Sequence, residues 1–371
     1  MEQDSTATHQ EGNPTSQPQA AAPDTQTNPL VEPVSRSRTI LFGGAIVALL
    51  VIAGGAYAAT KFATPKAEKI YHVGILSGLD YFLPEADGFK QKMTELGYVE
   101  GKNIVYDLQK TNFETAKEQQ ILQKFVSDGS DLIFTFPTEV SLAAKEATKG
   151  TTIPVVFAAA YTEGVDLIDS VARPGGNLTG VRYPGSDISI KRLQYLHELL
   201  PEAKRIWVTY QKDYPPVPPL VEKVRAAAER MGLTLVEVPA LGLGDIQADF
   251  DMRNTQRDIG VDAMLGLSEP LAIQPIPFAA IVKFAAEHEL VIGDTIMFPD
   301  DTGPLFSVVT ESTEMGAQAA VLADKIFRGA QPGSIPVSSP ETYLTINAKV
   351  AQKMGVTLSE EFLAQAKKII H

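Results

Sequence analysis

The chain has 371 residues, a hydrophobic content of 44% and a formal net charge of −13. An acidic balance of that size excludes a phosphate-neutralising surface, so no nucleic-acid partner is expected. The absence of cysteine excludes disulfides, thiolate catalysis and Cys-ligated zinc.

Residues 1–38 are rich in Gln, Thr, Ser, Pro, Asn and Ala, and this composition predicts a disordered segment. Thr39 to Thr60 follows without a charge. As a helix it would reach about 33 Å, enough for the hydrocarbon layer of a membrane. Arg36 and Arg38 precede it, and Lys61, Lys66 and Lys69 follow, so flanking charge does not set its orientation. Ala56-Tyr57-Ala58 resembles a signal-peptidase site. The long acidic leader favours an uncleaved single-pass anchor at residues 39–60, with the following domain extracytoplasmic in either case.

From Lys69 short apolar runs alternate with amphipathic ones. Strands are predicted at Ile70–Leu76, Asn103–Leu108, Asp131–Phe136 and Ile153–Phe157, and helices at Pro84–Leu96, Glu114–Val126 and Thr138–Thr148. Such alternation indicates a parallel sheet covered on both faces. The non-periodic stretch from Ala158 to Val181, with its Pro174-Gly175-Gly176-Asn177 turn, connects this lobe to a second series. There, helices are predicted at Ile188–Leu200, Val217–Met231, Asp245–Asp258 and Pro277–Glu289. Strands are predicted at Arg205–Tyr210, Leu233–Val238, Ala263–Leu267 and Leu290–Gly293. A strand near Leu305–Thr310 and helices at Thr313–Arg328 and Ser359–Ile370 complete the chain, which is read as crossing back to the first lobe and returning. The predicted division is lobe 1 at 69–182 with roughly 312–342, and lobe 2 at 183–311 with roughly 343–371.

Catalytic motifs are lacking. Gly242-Leu243-Gly244 leads to Gln247 where a dinucleotide fingerprint needs its third glycine, and no P-loop or nucleophile elbow occurs. The five histidines (His9, His72, His197, His288, His371) are scattered, so no metal site is expected, and no cofactor or enzymatic activity either.

Polar and aromatic residues do gather at the carboxyl ends of the predicted strands, where open α/β sheets bind ligands. In lobe 1 these are Ser77, Gly78 and Tyr81, then Phe136, Pro137 and Thr138, then Ala160 and Tyr161. Lobe 2 supplies Tyr210 and Asp213, Ser268 and Glu269, and Asp294. As a set they suit a zwitterion such as an amino acid. Backbone donors would take its carboxylate, Glu269 or Asp294 its ammonium, and Tyr81, Phe136, Tyr161 or Tyr214 its side chain. Glu269, which directly ends a buried strand, is expected to matter more than Asp294.

ELGYVEGKNI, DLIFTFPTEVSLAAKEAT, IPVVFAA, RPGGNLTGV and LPEAKRIWVTY, with MGAQAAVLADKIFRGAQPGSIPV and LTINAKVAQKMGVTLSEEFLAQA, resemble the ABC transporter substrate-binding protein family that includes tryptophan-type binding proteins. The likeness runs in order from Lys69 to Ile370. It implies a type I periplasmic-binding-protein fold, α/β, with two doubly wound parallel-sheet lobes joined by a three-stranded hinge. It also implies capture of a small solute for an ABC permease in the membrane. The sequence departs from the family at four positions of the expected cleft: Phe136 to Val140, Tyr161 to Val165, Tyr210 to Pro216, and Ser268 to Pro270. The resemblance thus implies an extracytoplasmic receptor of an ABC importer. The alternative is a sensing module that signals to a membrane partner without transport. Ala158 to Tyr161 is expected to line the cleft, and Pro174 to Val181 to lead into the first crossover.

Overall fold

The structure, a computed structural model, describes residues 69–371. The predicted disordered segment and the hydrophobic segment 39–60 lie outside the described residues. Among the described residues no helix is long and apolar enough to cross a membrane.

The first sheet has five parallel strands: β1 (Tyr71–Ser77), β2 (Ile104–Lys110), β3 (Leu132–Phe136), β4 (Val155–Ala160) and β5 (Leu178–Arg182). Their order is β2-β1-β3-β4-β5, a doubly wound sheet. Every residue of β3 and β4 is buried, which is why those runs are apolar throughout. The helices α1 (Leu83–Glu95), α2 (Thr115–Ser127) and α3 (Thr138–Ala147) alternate with these strands.

The second sheet repeats the same winding. The helices α4 (Gly185–Leu199), α5 (Val217–Arg230), α6 (Leu243–Asn254) and α7 (Pro275–Glu287) alternate with β6 (Arg205–Gln211), β7 (Thr234–Ala240), β8 (Ala263–Leu265), β9 (Val291–Asp294) and β10 (Phe306–Val309). The strand order β7-β6-β8-β9-β10 matches that of the first sheet. One face of this sheet packs Trp207, Phe250 and Phe284, with the last two rings stacked at 4.0 Å; the other face packs Leu193, Leu196 and Val224.

After β10 the chain returns to the first sheet as α8 (Ser312–Phe327), which packs on α1, β4 and β5. Two glycines let α1 and α8 meet backbone to backbone. A Cβ at Gly88 would come within 2.0 Å of the Thr313 carbonyl oxygen, and one at Gly316 within 1.9 Å of that of Glu85. The chain then pairs Ser338 beside Val181 of β5 and crosses again into the second sheet. Three segments therefore run between the sheets: Tyr183–Pro184, Thr310–Glu311 and the stretch after Ser338.

Two expectations need correction. The second sheet is not wholly parallel, because β11 (Tyr343–Asn347) runs antiparallel to β10. Asn347 then caps α9 (Ala348–Lys353), its Oδ1 accepting from the Lys349 and Val350 amides at 3.1 and 3.2 Å. The helix expected at Ser359–Ile370 is only α10 (Glu360–Leu363), one turn capped by Ser359 and anchored by buried Phe362. Ala366–Ile370 is instead β12, parallel to β11. The open edge of β11 satisfies the backbone of this run, and tertiary pairing overrides helix propensity. The other predicted elements lie within a few residues of their observed bounds.

Candidate ligand-binding cleft

The carboxyl ends of both sheets face one cavity of about 510 Å³ between the lobes, a size ordinary for a small-molecule site. Its first-lobe wall begins at the turn after β1, with Leu79, Tyr81 and Phe82. The start of α3 adds Pro137, Thr138 and Glu139. Here the first intrahelical bond is donated by Ser141 N to the Pro137 carbonyl, at 3.1 Å. The three preceding amides have no acceptor within the helix. Proline cannot cap them with its side chain, and Thr138 Oγ1 is used elsewhere, accepting from Tyr161 N at 3.0 Å. The amino end of α3 thus presents donors at the wall.

β4 carries a register shift between Phe157 and Ala160, and Ala159 within it adopts φ +50°. This irregularity turns Ala159 and Tyr161 to the cavity and leaves Ala158 and Ala160 in the core. Tyr161 crosses the gap: its hydroxyl donates to the Ser268 carbonyl of the second lobe. Burial among Tyr183, Tyr214 and Glu269 drives its pKa well above the usual tyrosine value. From the other side, Tyr214 hydrogen-bonds Thr138 and Glu139, and its hydroxyl is likewise pushed upward, mainly by burial. An ion pair, Lys223 to Glu163 at 2.6 Å, also spans the two lobes.

The second-lobe wall comes from Ser268, Glu269 and Pro270, then Ile273, Gln274 and Pro275, with Thr295 and Val309. The segment after β8 is braced by Glu269, whose Oε2 accepts from Gln211 N at 3.1 Å and Leu271 N at 3.0 Å. Behind this wall lies Arg192 of α4, fully buried. It donates to the Val308 carbonyl at 2.6 and 3.1 Å and to the Gly266 carbonyl at 2.9 Å.

Two features of the lining stand out chemically. It holds Glu85, Glu139 and Glu269 but no Lys, Arg or His. Three of its side-chain atoms are buried without a hydrogen-bond partner: Glu85 Oε2, Ser268 Oγ and Thr295 Oγ1. Buried polar atoms are normally satisfied, so three orphans in the lining of one cavity are unusual. Glu85 is 1% exposed, and burial lifts its carboxyl to about 7, the Ser312 hydroxyl offsetting part of that rise.

The sequence profile of ABC transporter substrate binding proteins matches residues 75–370. The chain belongs to that family. Its members are solute receptors rather than enzymes, and this substrate-binding protein is one of them. It is 28% identical over 264 residues to a tyrosine-binding protein of Clostridioides difficile, covering 70% of this chain and 73% of that one. Among solved structures, a conserved domain protein of Vibrio cholerae is 25% identical with a TM-score of 0.67, covering 81% of this chain and all of that one. A Streptococcus domain solved in complex with L-Trp has the same fold, at 24% identity and a TM-score of 0.68, with the same coverage.

Of the residues singled out in the sequence of this substrate-binding protein, Tyr81, Pro137, Thr138, Tyr161, Ser268 and Glu269 line the cavity. The others are placed elsewhere. Ser77 Oγ donates to the Leu79 carbonyl, and Gly78 lies against Phe113 and Pro137, where a Cβ would collide. Phe136 packs on Phe134 in the core, and the Ala160 carbonyl accepts from Tyr183 N at 2.8 Å. Tyr210 donates to Glu237, and exposed Asp213 accepts from Gln211. Asp294 is buried beside Gly266, Trp207 and Met264, outside the main cavity. Burial raises its carboxyl to about 6, with Arg192 opposing the rise.

Glu85, Phe82, Tyr183, Thr295 and Ser312 were missed. Glu85 did leave a signal in the sequence. With Phe89 and Met93 it falls on one face at helical spacing, and all three are buried. A carboxylate on the apolar stripe of a helix is out of place in a core.

Proposed function

We propose that this protein is the solute receptor of an ABC importer and that its ligand is an aromatic amino acid. The observation that carries this reading is the cavity's composition. Tyr81, Phe82, Phe113, Tyr161, Tyr183 and Tyr214 surround a space with an uncapped helix start on one wall and unsatisfied hydroxyls on the other. An aromatic side chain fits between the rings, where offset and edge-to-face contacts add to the area buried. The α-carboxylate fits the free amides of Thr138, Glu139 and Val140, where helix dipole and donors both favour an anion. The tyrosine-binding relative and the L-Trp-bound structure support the same ligand class.

The domain works outside the cytoplasm, and residues 39–60 tether it to the membrane that holds the permease. Closure on the ligand would shift an open–closed equilibrium by the ligand's preference for the closed form. Isothermal titration of the full chain in detergent against the twenty amino acids tests the ligand. Tyrosine, tryptophan or phenylalanine should bind and the aliphatic and acidic ones should not; failure of all three aromatics would sink the assignment. Uptake of the bound amino acid by cells with and without the gene tests import, which is expected to fall when the gene is deleted.

A further inference from the structure

One group in the cavity wall, Glu85, is used by neither the aromatic pocket nor the helix start. Glu85 begins the second half of the first turn of α1, on the same face as Phe89 and Met93. The close approach of α1 and α8 at Gly88 and Gly316 sets its side chain against Ser312, the first residue of α8. The Ser312 hydroxyl and the Glu85 backbone N–H both favour the charged carboxylate, while Oε2 is buried with no partner at hydrogen-bond geometry. The groups that face it are Ser312 from α8 and Tyr81 from the turn before α1. Across the cavity stand Glu139, Glu269, Tyr161, Tyr183 and Tyr214, with no cationic side chain among the lining residues. Glu269 already accepts two backbone N–H groups, and Glu139 bonds Tyr214. Arg192, behind the far wall, donates to the Val308 and Gly266 carbonyls.

We infer that Glu85 is the acceptor for the ligand's ammonium group and sets the site's selection for an amine. The assignment rests on the amino-acid reading above and deepens it. The unpartnered Oε2 of this cavity-wall carboxylate is available to an N⁺–H donor, and a charge-assisted bond of that kind is among the stronger ones available. It also places the ammonium on the lobe-1 wall, on the same lobe as the α3 amides that receive the carboxylate.

A proton must move when the bond forms. Because burial holds the Glu85 carboxyl to about 7, it is largely protonated below that pH in the unliganded protein. The ammonium needs the carboxylate, so the carboxyl releases its proton to solvent as the ligand binds: Glu85–COOH and R–NH₃⁺ give Glu85–COO⁻···H₃N⁺–R and one H⁺. Binding is then strongest above about 7 and weakens as pH falls through that value, by up to about tenfold per unit.

The test is titration calorimetry of the full chain in detergent with L-tyrosine and L-tryptophan, and with tyramine and 3-(4-hydroxyphenyl)propionate as partial ligands. Glu85→Gln should weaken both amino acids at pH 8 by about 10- to 100-fold. It should weaken tyramine similarly, leave the amine-free propionate unchanged or tighter, and flatten the pH dependence. On the wild-type chain, titrations at pH 6 in two buffers of different ionisation enthalpy should report nearly one proton released per ligand; this arm needs no variant to fold. Wild-type binding without proton release overturns the inference and leaves the amino-acid reading standing. So does a Glu85→Gln loss that is equal for tyrosine and for the propionate. Absence of binding of either amino acid to the wild-type chain overturns both.

Discussion

Each lobe buries one ionisable group beside the cavity, and the two are treated in opposite ways. In the second lobe the Arg192 guanidinium is wrapped by acceptors, the carbonyls of Gly266 and Val308, with the Tyr183 hydroxyl beside it. Burial alone pulls its pKa down. In the first lobe Glu85 is equally buried and only half satisfied. A satisfied buried charge holds strand ends in place, here those of β8 and β10. A half-satisfied one lowers the stability of the empty protein and is tolerated where a ligand completes it.

Substitutions at the two residues should have opposite effects on stability. The largest effect is expected at Arg192. Arg192→Leu leaves two strand-end carbonyls without donors in a dry interior and should lower stability by about 3–5 kcal/mol, measured by urea unfolding of the full chain in detergent. A loss under 1 kcal/mol would mean that those carbonyls find other partners and that the guanidinium is not architectural. Glu85→Gln should act in the other direction. The folded carboxyl titrates near 7 against an ordinary 4.5. The fold therefore binds an extra proton between those values, and the stability of the empty protein falls as pH rises through them, then levels. The glutamine should be more stable than wild type by about 1–3 kcal/mol at pH 8 and nearly equal to it at pH 4. Destabilisation at pH 8 would make Glu85 a structural residue like Arg192. The smallest effect is expected at the contact joining the two walls. Tyr161→Phe removes the donor to the Ser268 carbonyl and should lower stability by about 1 kcal/mol while loosening aromatic ligands. No change in either would mean that the contact is incidental to closure.

Much of the scaffold was legible because two lobes with long buried strands write themselves as apolar runs. The loops of the cavity were legible too, since the carboxyl ends of parallel strands point one way. Which residue of each loop faces inward was not. Side chains alternate across a strand, so an error of one position reverses the answer. Asp294 ends β9 facing the lobe interior, and Thr295, the next residue, lines the cavity. Tyr210 turns to Glu237, whereas Tyr214 four residues on reaches Thr138. Phe136 is core and Pro137 is wall. In β4 even alternation fails, because the irregularity at Ala159 resets it in a way no local pattern announces. β11 and β12 were hidden for another reason. Their short, mixed sequences become strands only because β10 offers an edge.

The return of α8 to the first sheet has a consequence for how the chain folds. Tyr98, just past the end of α1, donates to Asp324 of α8 across 226 residues of sequence, and the Gly88 and Gly316 contact joins α1 itself to α8. The first lobe's apolar surface, including Phe89 and Met93, stays uncovered until the whole intervening lobe has been made and α8 has docked. Neither lobe is complete early: the first waits for α8, and the core of the second waits for Leu344, Ile346 and Phe362 of the last segment. Contacts this distant in sequence slow folding and prolong exposure of the surface they will cover. A chain cut after β5 should behave as an incomplete, aggregation-prone half, whatever the order seen in its five strands.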